Sequence, residues 1–276
     1  MFSTAKLLIL SFKMRLQTLF IGHPIKLLEQ VNSTNSFAFD LIRESSPAEG
    51  YVVWAKEQLA GRGQRGTVWS SEPGSNLTFS IILRPHFLPI DRQFQLTKAI
   101  ALGVAAFISN CLENHVHVSI KWPNDIYVKN CKIAGILIEN VLEQSTIKYS
   151  VVGIGLNINQ LVFDPSLPNP ISLKMLTGKD FSLDDCLMRL CSFIEKQYLD
   201  LRATGYQQID EAYHNLLYRK GIWGNFNLKG EIIEGQINGV NTMGHLILKK
   251  KNILNNPDSD WDDTVEVADS KQLVFL

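Results

Sequence analysis

Three glycines fall within six residues at Gly61, Gly63 and Gly66, with Arg62 and Arg65 between them and Trp69 just beyond. Glycine lets a backbone take positive φ and approach a ligand closely. Arginine offers a planar fork suited to phosphate and carboxylate. A loop carrying both is a candidate anion clamp. Its spacing fits the G-x-G-x-x-G fingerprint, which requires a strand before it, a helix after it and an acid about 20 residues on. Residues 51–55, Tyr-Val-Val-Trp-Ala, supply the strand. Residues 67–74 hold turn formers and no helical face, and Arg84 stands near the position where the acid belongs. A doubly wound dinucleotide fold is therefore excluded. No G-x-x-x-x-G-K-[ST] occurs, which removes a P-loop as well.

A chain of 276 residues suggests one large domain with a small one, and its 45% hydrophobic content fills a sizeable core. Lys+Arg and Asp+Glu both number 27, which argues against a dedicated nucleic-acid binder. Cys111, Cys131, Cys186 and Cys191 form no C-x-x-C, so a reducing, cytoplasmic compartment without disulfides is expected. Lys6 precedes the apolar run Leu7-Leu8-Ile9-Leu10, which is too short for a membrane span and lacks a cleavage site after it. Residues 1–20 are expected to be a disordered leader, and no membrane partner is expected.

Residues 24–31 read as a strand entering Ser33-Thr34-Asn35, good helix caps, with Phe37, Ala38, Leu41 and Ile42 as the helical face behind them. In residues 76–83, Leu77, Phe79, Ile81 and Leu83 alternate as in a half-buried strand. Leu96, Ile100, Val104, Phe107, Ile108 and Cys111 recur at helical spacing over residues 92–114. Strands follow at 116–120, 126–128, 132–141 and 147–159. Pro165, Pro168 and Pro170 mark an irregular loop. Ser182 and Asp185 resemble a capping box before a helix, and a shorter helix spans about residues 208–218. From Gly221 the pattern changes to short strands separated by turns such as Asn238-Gly239 and Asn255-Asn256-Pro257, as in a small barrel. His115 and His117 share a strand face, but no further ligand stands at metal-binding spacing beside them.

Four polar or glycine-rich stretches sit at strand ends or mid-strand in the large domain: Ser33–Asn35, the glycine loop, Lys121-Trp122-Pro123-Asn124-Asp125 and Lys132-Ile133-Ala134-Gly135. A fifth is Gly153-Ile154-Gly155-Leu156-Asn157-Ile158-Asn159. Gathered on one side of a sheet, they supply the cations Arg62, Arg65, Lys121 and Lys132, the aromatic Trp69, the amides Asn35, Gln58, Asn124 and Asn157, and the carboxylate Asp125. The set holds neither a Ser-His-Asp constellation nor a thiol nucleophile. Such a site stabilises phosphate charge and positions reactants rather than forming a covalent enzyme intermediate.

In their order and spacing these five motifs resemble the biotin–protein ligases, over roughly residue 25 to the last residue. The resemblance implies an α/β (α+β) fold: a mixed-sheet, class II synthetase-like catalytic domain over residues 21–220 and an SH3-like β-barrel over 221–276. It implies ATP-dependent activation of biotin as biotinyl-5′-AMP, with Mg²⁺, and transfer to a specific lysine of a biotin carboxyl carrier domain. By similarity, Lys132 and Arg62 are catalytic. Ser33, Thr34, Asn35, Gln58, Arg62, Gly63, Gln64, Lys132 and Gly135 line the biotin site. Arg62, Arg65, Trp69, Lys121, Asn124 and Asn157 serve the nucleotide and its phosphates, and Asp125 contacts Mg²⁺. Gln64 stands where many bacterial members have a second arginine, so weaker retention of the adenylate, or retention through Arg65, is expected. The chain begins almost at the catalytic domain, without the N-terminal helix-turn-helix of the repressor members, so sequence-specific DNA binding is not expected; a homodimer is left open. Two alternatives stand beside this reading: a lipoate or octanoate ligase or transferase of the same superfamily, and a non-catalytic biotin-sensing regulator.

Overall fold

The computed structural model describes residues 18–113, 115–251 and 263–276. Most of the expected leader and the turn at residues 255–257 lie outside the described residues. β1 (Ile25–Val31) runs into α1 (Thr34–Glu44), and β2 (Tyr51–Gln58) returns parallel to β1. The glycine loop follows, then β3 (Leu77–Leu83) and α2 (Phe94–Cys111). β4 (Val118–Lys121), β5 (Asp125–Val128), β6 (Cys131–Glu143) and β7 (Thr146–Leu156) form an antiparallel meander. Together they make a seven-stranded mixed sheet in the order β1-β2-β3-β7-β6-β5-β4.

Next come α3 (Leu173–Thr177), α4 (Leu183–Thr204) and α5 (Tyr206–Leu216). β8 (Trp223–Leu228), β9 (Glu231–Val240), β10 (Leu246–Lys250), β11 (Asp263–Val267) and β12 (Leu273–Phe275) form a second, antiparallel sheet in the order β11-β10-β9-β8-β12. The described residues thus show an antiparallel sheet where a barrel is expected, with β11 and β12 at its edges, rather than a closed barrel. α3 falls just after the proline-rich stretch, where the sequence reads as irregular; at five residues it is too short to display a helical period. Ser172 caps it, accepting from the Met175 N–H at 3.2 Å, and Ser182 caps α4 by accepting from the Asp185 N–H at 3.2 Å.

The two faces of the large sheet are covered unequally. On one face Leu96, Ile100, Val104 and Phe107 of α2 bury with Leu187, Leu190 and Ile194 of α4 against Phe79, Ile81, Ile126 and Ile136. α2 is long and apolar enough to cross a membrane, and its apolar residues are this core. The other face carries α1, packed through Ala38 on Val53, Ile82, Tyr149 and Val151. β3 lies between the two layers, so all seven of its residues are buried, not one alternating set. Glu195 of α4 is itself buried and accepts the backbone N–H groups of Leu19, Phe20 and Ile21 at 2.6, 2.9 and 2.8 Å.

The second sheet is tied to the first unit by side chains. The Trp122 indole donates to the Gly244 carbonyl at 2.8 Å, and Nε2 of His214 on α5 accepts from the Val240 N–H at 2.9 Å. Burial holds the His214 pKa below its ordinary value; Lys98 and Lys220 push the same way, against the Val240 carbonyl and Asp210. The fold therefore favours neutral imidazole. That contribution is complete above the unfolded histidine value of about 6.5 and is lost as pH falls through the lower folded value. The melting temperature is expected to fall more steeply between about pH 7 and pH 5 in the wild type than in His214→Gln. Parallel profiles would show that this contact does not respond to acid.

Candidate active site

Because α1 is short and covers β2, β3 and β7, the β4–β6 end of its face stays open. A cavity of about 700 Å³ lies there. Strand register explains its wall. Lys121 pairs with Asp125, Asp125 with Gly135, Gly135 with Gly155, and Gly155 with Thr78, a single row across five strands. Residues in register share a face of the sheet. The next row brings Leu137, Gly153 and Ser80 together. The loop after β2 and the start of α1 overhang these rows from the carboxyl ends of the parallel pair, where open α/β sheets hold their ligands.

The bare backbone at the facing glycines is filled by side chains. A Cβ on Gly155 would lie 2.2 Å from Cε2 of Trp69, so the indole lies directly on that strand, and a Cβ on Gly135 would meet Cζ3 at 3.1 Å. A Cβ on Gly153 would lie 2.4 Å from Oδ1 of Asn35. The indole Nε1 of Trp69 is buried without a partner, a state that costs about 1–3 kcal/mol and that an acceptor on a bound ligand would relieve. The glycine loop is a small hairpin. The Gly63 N–H donates to the Thr67 carbonyl at 2.7 Å, the Trp69 N–H to the Gly61 carbonyl at 2.9 Å, and Gln64–Gly66 form its 3₁₀ tip.

At the head of α1 the expected cap is replaced. Ser33 occupies the N-cap position, but its hydroxyl makes no capping bond; Gln58 supplies it from β2. Gln58 Oε1 accepts from the Thr34 N–H at 2.8 Å and lies 3.1 Å from Thr34 Oγ1. Asn35 is committed inward. Its Oδ1 accepts from Ser80 Oγ at 2.6 Å, and its Nδ2 donates to Glu139 Oε2 at 2.7 Å. The same Glu139 oxygen accepts from Arg62 Nη2 at 3.0 Å, which ties the loop to the helix head.

The cations form the other wall. Lys132 Nζ lies 2.7 Å from Asp125 and 5.7 Å from the centroid of the Trp69 ring. Lys121 Nζ lies 3.4 Å from Tyr127 Oη. Burial holds the Lys121 pKa below its ordinary value, opposed by Asp125 and reinforced by Lys132 and Arg219. Lys121, Lys132 and Arg219 line the same wall and act on one another, and such a cluster favours a polyanionic ligand.

Comparison with known proteins bears on what that ligand is. Residues 27–157 match the Biotin/lipoate A/B protein ligase family. The bifunctional ligase/repressor BirA of Bacillus spizizenii is 30% identical over 241 residues, covering 85% of this chain and 72% of that one. The chain belongs to the biotin–protein ligases. Within that family, the biotin–[acetyl-CoA-carboxylase] ligase of Paracoccus denitrificans is 28% identical over 193 residues, 68% of this chain and 78% of that one. The fold is shared with the biotin protein ligase of Aquifex aeolicus solved with biotin and ATP, at TM-score 0.71 and 23% identity, over 91% of this chain and 97% of that one.

In this biotin–protein ligase Ser33, Thr34, Asn35, Gln58, Arg62, Gly63, Gln64, Trp69, Lys121, Asn124, Asp125, Lys132 and Gly135 all line the cavity. Asn124 lines it while its Nδ2 donates to the Ile136 carbonyl. Asn157 is not on the wall; it is buried and donates to the Ile171 carbonyl at 3.0 Å. The Arg65 side chain lies outside the described residues. The sequence reading missed Tyr127, Tyr218, Arg219, Lys271 and Phe275, which also line the cavity, and Glu139 behind it. Glu139 carried a legible signal, an acid directly after the apolar strand run Ile136-Leu137-Ile138 and before Val141. Tyr127 lies on β5 itself, Tyr218 and Arg219 follow α5, and Lys271 and Phe275 come from the second unit, whose approach no local pattern encodes.

Proposed function

We propose that this protein is an ATP-dependent biotin–protein ligase. The observation that carries the reading is the placement of Lys121, Lys132 and Arg62 around the same cavity as Ser33 and Gln58, in a chain of this family. A carboxylate oxygen of biotin attacks the α-phosphorus of ATP, the bond to the β-phosphate oxygen breaks, and pyrophosphate leaves. An amine of the acceptor then attacks the carbonyl of biotinyl-5′-AMP, AMP leaves, and the amine's proton passes to solvent. The first step brings two anions together, and Lys121, Lys132 and Arg62 offset that repulsion. The mixed anhydride hydrolyses in water, so the glycine loop that overhangs the cavity would exclude solvent.

The acceptor is a lysine of a carboxyl carrier domain, as the names of the acetyl-CoA-carboxylase ligases among its relatives suggest. The wall's donor set fits Mg²⁺ arriving on the triphosphate. Asp125, already paired with Lys132, would supply one carboxylate, and the ion would neutralise phosphate charge. Four free cysteines suit a cytoplasmic setting, and the balanced charge suits an enzyme without sequence-specific DNA binding. The change from the seven-stranded to the five-stranded sheet supports a catalytic unit at 21–220 and a C-terminal unit at 221–276.

ATP–pyrophosphate exchange with biotin and with lipoate, run side by side, tests the reading. Exchange with biotin is expected to exceed that with lipoate by at least about 100-fold in kcat/KM, since a site built to hydrogen-bond a polar head rejects an analogue lacking it. Preference for lipoate would assign the cavity to the rival substrate, and binding of biotin without exchange would make the protein a sensor.

Trp69 supplies a second test. Trp69→Ala is expected to raise KM for ATP about 10-fold, with a smaller change for biotin, as loss of a base-stacking face does. Gly155→Ala should reproduce that pattern by dislodging the indole. Equal effects on both substrates, or a lower melting temperature alone, would leave Trp69 as a packing residue.

A further inference from the structure

Lys121 does not stand free in the cavity. Its ammonium lies 4.6 Å from the ring centroid of Phe275 on β12 and 5.1 Å from that of Tyr127 on β5. Tyr218, in the connection after α5, braces both rings: its centroid is 5.3 Å from that of Tyr127 and 5.9 Å from that of Phe275. β12 in turn is set by pairing with β8, where Phe275 faces Phe226 and the two rings meet edge-on at 5.3 Å. The lysine is thus enclosed by aromatic faces from both units. The negative face of an aromatic ring attracts an ammonium within about 6 Å, most strongly where water is excluded. Lys121 is partly buried, with Asp125 across the row and Lys132 and Arg219 near enough to repel it. Without the rings, the repulsion would turn its flexible stem away from the other cations. Phe226 completes a chain of contacts from the core of the second sheet to that ammonium.

We propose that Phe275 is a positioning residue for adenylation: its ring face holds the Lys121 ammonium at the cavity, so the second sheet completes the nucleotide site. The role runs through Lys121 and rests on the ligase reading above. It is specific to the ring's face, not to its bulk, and bears on the triphosphate, not on biotin.

A double-mutant cycle in ATP–pyrophosphate exchange tests it, using the full chain. Phe275→Leu, which keeps apolar volume and removes the ring, is expected to raise KM for ATP about 10-fold while leaving KM for biotin within about 2-fold, in the range a partly desolvated cation–ring contact supports. Phe275→Tyr should retain wild-type values. In a Lys121→Met background, Phe275→Leu should have a much smaller effect, because the nearer cation is gone and only Arg219, 5.9 Å from the same ring, is left. If the leucine variant does not fold, Phe275→Met takes its place with the same expectations. An equal fold-change in both backgrounds, or equal effects on ATP and biotin, would make Phe275 a packing residue and overturn the proposal. So would a wild-type KM for ATP in the leucine variant. Failure of the ligase reading is separate, since it would appear as absence of biotin-dependent exchange in the wild type.

Discussion

Lys132→Ala is expected to lower kcat for biotinyl-AMP formation by on the order of 10² or more, as removal of a preorganised charge-stabilising group does. The backbone of Lys132 is held on both sides, its N–H donating to the Asn169 carbonyl at 2.8 Å and its carbonyl accepting from the Ile171 N–H at 3.0 Å. Its ammonium sits between the Asp125 carboxylate at 2.7 Å and the Trp69 ring. That charge is therefore in place before substrate arrives. The ion pair is partly exposed on both sides, and such pairs contribute at most about 1 kcal/mol, so melting temperature should hardly change. The contrast between a large kinetic effect and a small thermal one is the diagnostic. Single-turnover formation of the adenylate measures the first, and a thermal melt the second. An alanine variant with near-normal pyrophosphate exchange would remove Lys132 from the chemistry.

The second large effect concerns folding. Glu195→Ala should destabilise the protein by on the order of 3 kcal/mol, because three backbone donors, that of Ile21 fully buried and those of Leu19 and Phe20 partly so, lose their buried acceptor together. Glu195→Gln is the informative partner. It keeps shape and volume but turns one acceptor oxygen into an NH₂ that faces N–H donors, and one carboxamide oxygen cannot serve three. Oε2 alone accepts from Phe20 and Ile21, so a carboxamide oxygen there keeps those two bonds without the charge and loses the third, and part of the alanine loss is expected in the glutamine variant too. Urea unfolding of the three proteins measures it. A glutamine variant as stable as the wild type would mean that shape alone holds residues 19–21 against α4.

Much of this architecture was written locally. The period-2 run at Leu77, Phe79, Ile81 and Leu83 and the helical spacing from Leu96 to Cys111 are burial patterns, and the structure places those elements where the pattern does. What the pattern misjudged is the second face of β3. A half-buried strand leaves its second set, Thr78 and Ser80 included, toward solvent, yet both are buried; Ser80 bonds to the head of α1, and Thr78 donates to the Ala55 carbonyl at 2.8 Å. Polarity there records internal hydrogen bonding, which a one-dimensional pattern cannot separate from exposure. Motif grouping likewise put Asn157 with the ligand-facing amides, whereas its side chain turns to Ile171. Gly135, Gly153 and Gly155 were legible as places of close approach, but not what approaches: an indole and an amide from distant segments.

The five-strand row from Lys121 to Thr78 has a bearing on how such a site can change over time. Neighbouring strands lie about 4.8 Å apart, so the row extends roughly 19 Å across the sheet, enough to lay a nucleotide beside a second small molecule. Substitution can adjust each station of that row separately. Insertion or deletion cannot. One residue added within β6 ahead of Gly135 would turn the following side chains to the opposite face, sending Ile136 toward the indole and Gly135 into the α2 core. Lineages of this protein should therefore vary freely in loop length beyond β7, where the prolines lie, while the spacing from Asp125 to Gly135 stays fixed at ten positions.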